Sequence, residues 1–479
     1  MKTHCRLVCL AMIAVAAVPT SAADLEPIKE SAVAAIEAHS GELVGLSDQV
    51  WAFAETALHE HQSAALLSDY LEANGFTVER GVAGLPTAFV ASYGQGRPII
   101  GVLGEYDALP GISQRAQATQ EPLEAGAPGH GCGHNLLGTA SLGAALAIKE
   151  LIEGGELHGT VRYYGSPAEE TVGGKLYMVR AGLFEDLDVA MAWHPDVEVG
   201  ADTKPNQAVV DFVVEFEGQA AHAAYDPWNG RSAADGAEVF TFALNLLREH
   251  VRPTVRMHYV VTDAGDVPNV VPSYARVWCW LRDANATGVN GLLERARQIT
   301  EGAALATGTT SKLTVQSGCW ELLLTMAGAK LIHDNMEWLG PIGFTDEEQE
   351  FAREIQRATG AEPVGLKSEP KPLDLAPCGI NGGSTDVGDV SWQVPTLHLS
   401  VTTAPIGAPW HAWPVVATGG MSIGHKGMLY AAKAMAATMV DLYGDPANLA
   451  AVRSEWEDRT RGVEYTSYLP EGPPPLPED

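Results

Sequence analysis

The chain of 479 residues is poor in positive charge: 30 lysines and arginines stand against 60 aspartates and glutamates, a formal net charge of −30. An acidic surface of that size repels phosphate backbones and anionic lipid headgroups. Nucleic acid and membranes are therefore excluded as partners, and solubility is the plain reading of the charge. Cysteine is scarce as well. Of six, Cys5 and Cys9 fall near the start, leaving Cys132, Cys279, Cys319 and Cys378. Four cysteines in a chain this long are no disulfide framework, although a single pair among Cys279, Cys319 and Cys378 stays open. Internal repeats are lacking. The apolar run 7–18 is too short to span a bilayer comfortably. With Lys2 and Arg6 before it and Ser21-Ala22-Ala23 after it, residues 1–23 read as a cleaved secretory signal, so the expectation is an exported protein, periplasmic or secreted. Its removal leaves 28 basic against 60 acidic residues, a net charge of −32.

With 46% hydrophobic and 19% charged residues, the chain can bury a large core, and its length predicts two domains. Residues 25–76 carry apolar positions at helical spacing, with Gly75 as a stop. Short apolar runs at 87–93 and 98–110 read as buried strands. The Ala/Leu-rich stretch 136–152 ends at Gly154-Gly155, a helix with a clear stop. "GTVRYYGSPAEE" (159–170) and "LDVAMAWHPD" (187–196) are strands that run into loops. Strands alternating with helices, with polar residues at strand ends, predict an α/β domain built on a mostly parallel sheet. From residue 207 the pattern changes. A strand at 208–219, a helix at 231–249, strands at 254–262 and 274–283, a helix at 287–307 and a strand near 311–316 give the order βαββαβ, a ferredoxin-like α+β unit. The expected division is 24–206 with 319–446 for the α/β domain, 207–318 for the inserted module and 447–479 for a C-terminal extension. The Pro-rich, acidic end of that extension is expected to be extended and solvent-exposed.

Four local constellations could carry chemistry. In "GAPGHGCGHNLLGTA" (126–140), Cys132 and His134 sit two apart between glycines at a helix start. A thiolate and an imidazole at that spacing suit zinc and other divalent transition metals, and the competing reading is a turn with a buried thiol. The glycines do not fit a nucleotide-binding loop. Glu169-Glu170 closes a strand, where adjacent carboxylates repel unless a cation or proton is shared. One could bind metal while the other acts as a general base, or both could be solvated loop acids. His194 ends an apolar strand and could be a core histidine. His411 in "GAPWHAW" could belong to an ordinary aromatic loop. All recur after strands of one α/β sheet, where such sheets bind ligands. Together they supply Cys, His, Glu, His and His, enough for two metal ions sharing a ligand.

"GEYDALPG" (104–111), "GHGCGHNLLG" (129–138), "SPAEETVGGK" (166–175), "AWHPD" (192–196), "GQAAHAAYDPWNGRSAADG" (218–236), "NVVPSYA" (269–275), "GSTDVGDVSW" (383–392) and "GAPWHAW" (407–413) occur in order over nearly the whole chain. On these motifs the chain resembles the M20 metallopeptidase/amidohydrolase family. Within it, the resemblance is to the aminobenzoyl-glutamate hydrolase-like branch of the aminoacylase/hippurate hydrolase group. The resemblance implies a zinc-exopeptidase-like catalytic α/β domain with an inserted ferredoxin-like lid that serves dimerisation. It implies two divalent ions in each protomer, zinc or manganese first, cobalt or nickel as alternatives. Cys132 matches a bridging thiolate, and His134, Glu170, His194 and His411 match terminal ligands. Glu169 matches the general base. His222 matches a lid histidine that reaches the neighbouring protomer's site in dimeric relatives, and Asn269 a lid asparagine near the same place.

The implied reaction is hydrolysis of the amide bond of an N-acyl or N-aroyl amino acid by metal-activated water. The substrate is a small molecule of that kind or dipeptide-like, and the assembly a homodimer through the lid. Ser384, Thr385 and Arg282 are the candidates to hold the substrate's free carboxylate, Arg282 having the alternative of a surface residue at a strand end. The sequence departs from many family members at Glu105-x-Asp107, where they carry a His ligand in H-x-D. His134 is expected to replace that ligand, with Glu105 at most behind it and Asp107 orienting it. His130 could stand behind the ligands as a donor, but the expectation is an exposed loop residue. The alternatives are a catalytically silent binding protein of the same fold, a dipeptidase or carboxypeptidase of the family, or an interaction protein with an incidental Cys/His cluster.

Overall fold

The computed structural model describes residues 25–171 and 173–477; the expected secretory signal lies outside them. Among these residues, eleven strands form two sheets. β1 (Thr77–Arg80), β2 (Phe89–Gly94), β3 (Ile99–Glu105), β4 (Thr160–Ser166), β5 (Val189–Asp196), β6 (Gly200–Ala201) and β11 (Thr396–Thr402) make a seven-stranded sheet in the order β1-β2-β4-β3-β5-β11-β6. The four central strands β4, β3, β5 and β11 run parallel, and the outer ones are antiparallel. β7 (Ala208–Glu217), β8 (Arg256–Asp263), β9 (Tyr274–Asp283) and β10 (Thr310–Cys319) form an all-antiparallel sheet in the order β10-β7-β9-β8. Helices Ala233–Leu247 and Ala286–Thr307 pack on it, so the βαββαβ order folds as a ferredoxin-like unit with its own core, Phe212, Phe216, Phe240 and Leu281 among others.

Three helices, Glu26–Ala38, Ser40–Phe53 and His61–Ala73, occupy the first segment, and Gly75 beyond the last has φ +89°. The helix expected at 136–152 spans His134–Glu153, starting directly after Gly133 at φ +78°. It is the one described helix long and apolar enough to cross a membrane, and 83% of its apolar window is buried in the core. Small residues let it lie close on the parallel strands, since a Cβ at Gly138 would collide with the Glu105 carbonyl. Ser141 Oγ donates to Leu103 O at 2.6 Å and Trp193 Nε1 to Leu137 O at 3.0 Å, which fixes that helix against β3 and β5. The helix start is thereby held at the C-terminal edge of the sheet. The Pro-rich C-terminal end is irregular and, Pro474 apart, mostly exposed, as expected, yet it is anchored. Pro446–Thr460 is a helix, and the irregular chain beyond it is tied down: Arg180 donates to Pro470 O and Gly472 O, and the Tyr465 hydroxyl donates to Asp389 Oδ1 at 2.7 Å.

A buried cation ties the sheet edge together. Lys175, fully buried in helix Gly174–Arg180, places Nζ 2.6 Å from Glu105 Oε1 and 2.7 Å from Asp386 Oδ1. Its backbone N–H donates to Asp386 Oδ2 at 2.9 Å. One ammonium thus joins the end of β3, the helix after β4 and the turn before β11. Removing one partner of such a set leaves the others charged and dry. Lys175→Met is expected to lower stability by about 3–5 kcal/mol in urea denaturation, and a loss under about 1 kcal/mol would contradict this account of the edge.

Candidate metal centre

The site is assembled from loops that leave the parallel strands at their C-terminal ends, where the strand order leaves a crevice. Cys132 lies in a tight loop whose Gly131 backs onto Ile112 with no room for a Cβ. The Gly131 carbonyl accepts the His411 backbone N–H at 3.0 Å, so the two ligand loops are joined. His411 holds a left-handed φ of +53°, an uncommon conformation for a side chain with a Cβ. Ala168, at φ +59°, turns the chain after β4 and presents Glu169 and Glu170; its N–H is held by Glu60 Oε1 at 2.9 Å. His194 sits near the end of β5.

Ligand-type atoms meet in three groups, each within 4.8 Å: Cys132, His134 and His194; Cys132, Glu170 and His411; Glu105, His134 and Glu169. Cys132 belongs to the first two. Its Sγ lies 3.3 Å from His194 Nε2, and His411 Nε2 lies 3.4 Å from Glu170 Oε2. The imidazoles are oriented toward the cluster by the bonds their other nitrogens make. His134 Nδ1 donates to Asp107 Oδ1 at 2.8 Å, and His194 Nδ1 donates to Pro195 O at 2.6 Å. In the neutral ring each Nε2 then carries a lone pair directed inward. Asp107 Oδ2 accepts the Glu170 N–H at 3.0 Å, so one carboxylate orients two of these residues.

Two acceptors of the cluster have no donor among the described residues. His134 Nε2 and Glu170 Oε1 are buried without a hydrogen bond, and Glu105 Oε2, 3.2 Å from His134 Nε2, is out of line for one. Burial, with the charge of Glu170 adding, pushes the Cys132 thiol above its ordinary range. Burial pushes Glu170 up to about 7 and Glu169 well above the carboxylate range, the latter helped by Glu105, Glu170 and Asp386. Burial also drives His194 down to about 4, so it stays neutral. Burial would lower His134 too, but Asp107 outweighs it and favours the protonated ring. A divalent ion held here would oppose the raised values of Cys132, Glu169, Glu170 and His134 and reinforce the neutral state of His194. The donor set of thiol, imidazoles and carboxylates therefore fits divalent transition metals.

A cleft of about 930 Å³ opens beside this cluster. Ser384, Thr385 and Arg282 line it. Arg282 is half-buried rather than on the surface: Nη1 donates to Ser384 Oγ at 2.7 Å, its guanidinium lies 5.2 Å from the Trp280 ring centre, and it makes no ion pair among the described residues. Thr385 Oγ1 accepts the Val387 N–H at 3.2 Å, which leaves its own proton to donate. His222 and Asn269 are not brought to this cleft. They are exposed on the inserted module, side by side through the Ala223 N–H to Asn269 carbonyl bond of 3.0 Å. His130 corrects the expectation of an exposed loop residue. It is 1% exposed, and its Nε2 bonds Val50 O at 2.9 Å, because the loop tucks under the last turn of helix Ser40–Phe53, whose carbonyls need donors. Glu105 lies behind His134, as expected, and also bears on the site through Lys175 and Glu169, pairings no local pattern announced. Cys132, Cys279, Cys319 and Cys378 are all free thiols.

Residues 101–458 match the Peptidase family M20/M25/M40. The chain is 39% identical over 470 residues to one of the two named components of the p-aminobenzoyl-glutamate hydrolase of Escherichia coli (strain K12), covering 92% of this chain and 98% of that protein. It is 30% identical to the Xaa-Arg dipeptidase of Mus musculus over 91% of this chain and 94% of that protein. Among solved structures, an aminobenzoyl-glutamate utilization protein from Klebsiella pneumoniae shares the fold at a TM-score of 0.57 and 18% identity, covering 85% of this chain and 96% of that one. A dinuclear metal-binding M20 peptidase from Bacillus subtilis does so at a TM-score of 0.58 and 17% identity, covering 85% and 99%. The chain belongs to the M20/M25/M40 peptidase family and is an amidohydrolase of that family.

Proposed function

We propose that the protein is a two-metal hydrolase that cleaves the amide bond of N-acyl or N-aroyl amino acids, an aroyl-glutamate first among them. The observation that carries this reading is that two ligand groups share Cys132 beside Glu169, a carboxylate whose charge Lys175 and His134 offset. Cys132, His134 and His194 would hold one ion, and Cys132, Glu170 and His411 the other, zinc or manganese suiting the set best. Divalent ions there would supply Lewis acidity, polarising a carbonyl and acidifying water near neutral pH. Glu169 takes the proton from the attacking water and delivers it to the leaving nitrogen. Arg282, a guanidinium steadied by Ser384 and Trp280 with no ion pair among the described residues, receives the substrate's free carboxylate in the geometry guanidinium favours. An Xaa-Arg-like dipeptide is the second substrate class, on the strength of the similarity to the mouse dipeptidase.

His222 acts across a dimer. Its Nδ1 accepts the Ala224 and Tyr225 backbone N–H groups at 3.2 Å each, so the neutral ring keeps its proton on Nε2, a donor for a carbonyl oxygen. Helix Ala233–Leu247 exposes Val239, Phe242 and Leu246 on one stripe, and edge strand β8 exposes Val260 and Val261. An apolar helix stripe beside an open strand edge suits a second copy related by a two-fold axis. The E. coli hydrolase is named in two components, and its other component is 32% identical to this chain over 46% of it, so a hetero-assembly on the same face is the second reading. Export is proposed from residues 1–23 alone.

Glu169→Gln is expected to lower kcat by about 10²–10⁴ while metal per chain stays at the wild-type level; a wild-type kcat would remove Glu169 as the base. His222→Ala is expected to lower kcat with an unchanged melting temperature. Mixing Glu169→Gln and His222→Ala chains should then restore about a quarter of wild-type activity, since half the random dimers contain one complete site. No recovery on mixing, with protomer exchange verified, would place His222 outside the partner's site.

A further inference from the structure

Past His194 the cleft continues along the face of β11. Ser400 pairs with His194 in the parallel register, and His398 lies two residues earlier on the same face, roughly 7 Å along the strand. His398 is only 8% exposed yet lines the cleft. Its Nδ1 donates to Asp202 Oδ2 at 2.7 Å, and the same oxygen accepts the Ser400 hydroxyl at 2.8 Å. The Asp202 N–H in turn donates to His398 O at 3.1 Å, which locks the pair across β6 and β11. The other ring nitrogen, Nε2, has no hydrogen-bond partner among the described residues. Asp196, Glu198 and Lys371 line the same cleft, with Lys371 Nζ 3.9 Å from Glu198 Oε2.

We propose that His398, held by Asp202 in a cleft whose wall also carries Asp196 and Glu198, forms a subsite for an N–H donor, an amine or guanidinium that the substrate carries away from its scissile amide. With the Nδ1 proton committed to Asp202, the neutral imidazole presents an Nε2 lone pair, an acceptor. Three carboxylates against one ammonium make this wall hostile to an anion, whereas Arg282 serves that charge on another part of the cleft wall. The substrate is thus sorted end to end, its carboxylate toward Arg282 and its donor toward His398. Buried acceptors of this kind discriminate strongly, because a ligand without the donor leaves them dry and unpaired. The inference rests on the amide-hydrolysis reading for where the scissile bond lies. The donor could be an arylamine on the acyl group or a cationic side chain on the amino acid.

Two matched pairs separate these sources: 4-aminobenzoyl-glutamate against benzoyl-glutamate, and alanyl-arginine against alanyl-norleucine. kcat/KM is measured for the wild type, His398→Leu and His398→Gln, and Kd by calorimetry for the same pairs in a Glu169→Gln background, with metal per chain determined for each protein. The wild type is expected to favour the donor-bearing member of one pair by at least about tenfold. His398→Leu should collapse that ratio, and His398→Gln, whose amide oxygen can accept, should keep part of it. The pair that responds identifies the end that carries the donor. Ratios near one in both pairs, a ratio that His398→Leu leaves unchanged, or loss of metal from that variant would each overturn the subsite. Absence of turnover throughout would count against amide hydrolysis, and the Kd ratios would then decide the subsite by themselves.

Discussion

Cys132 stands where two sets of ligand atoms meet, and the edge of the parallel sheet is organised around the cost of keeping those atoms dry. Thiol, imidazole and carboxylate groups converge within 4.8 Å, and two of their buried polar atoms have no partner among the described residues. Acceptors gathered in this way repel one another unless a cation or proton intervenes. Two consequences run outward from this constraint. The tautomers of His134 and His194 are fixed from behind by Asp107 and the Pro195 carbonyl, and the charge of Glu105 is met by Lys175.

The scaffold supplies what the site needs and little else. Parallel strands end together on one edge, so loops from β3, β4, β5 and β11 can contribute to a single cluster. A small-residue helix face brings His134 down onto that edge, and a left-handed His411 points back toward Glu170. The inserted sheet keeps its own core and contributes Arg282 to the cleft wall, while His222 and Asn269 stay exposed on it. Function is therefore divided between a rigid edge that holds charge and a second unit that reaches over it.

Much of this was legible in the chain. The Cys-x-His pair, the adjacent glutamates and the strand-end histidine are local patterns, and local patterns survive folding. The βαββαβ order was readable because strand and helix periodicities differ. What escaped were pairings between distant segments. Lys175 meets partners 70 residues before it and 211 after it, and His398 meets Asp202 across 196 residues. His130 was misread because its glycine-flanked loop looks mobile in sequence, whereas helix Ser40–Phe53, 80 residues earlier, closes over it. Thr385 lines the cleft, as its motif suggests, and its hydroxyl also accepts the Val387 N–H, a local contact its position alone did not reveal. A hydroxyl's local and long-range options are indistinguishable until the backbone is placed.

The shared thiol makes a claim that a single measurement addresses. If Cys132 serves both ions, their affinities are coupled through it, and removing it must weaken both together. Titration of metal-free wild type and Cys132→Ala with zinc, counting bound ions at equilibrium, reads this directly. The account predicts two ions per wild-type chain and the loss of both in the variant over the same concentration range. Loss of one ion with the other bound at wild-type affinity, or two ions retained, would contradict a centre built on Cys132.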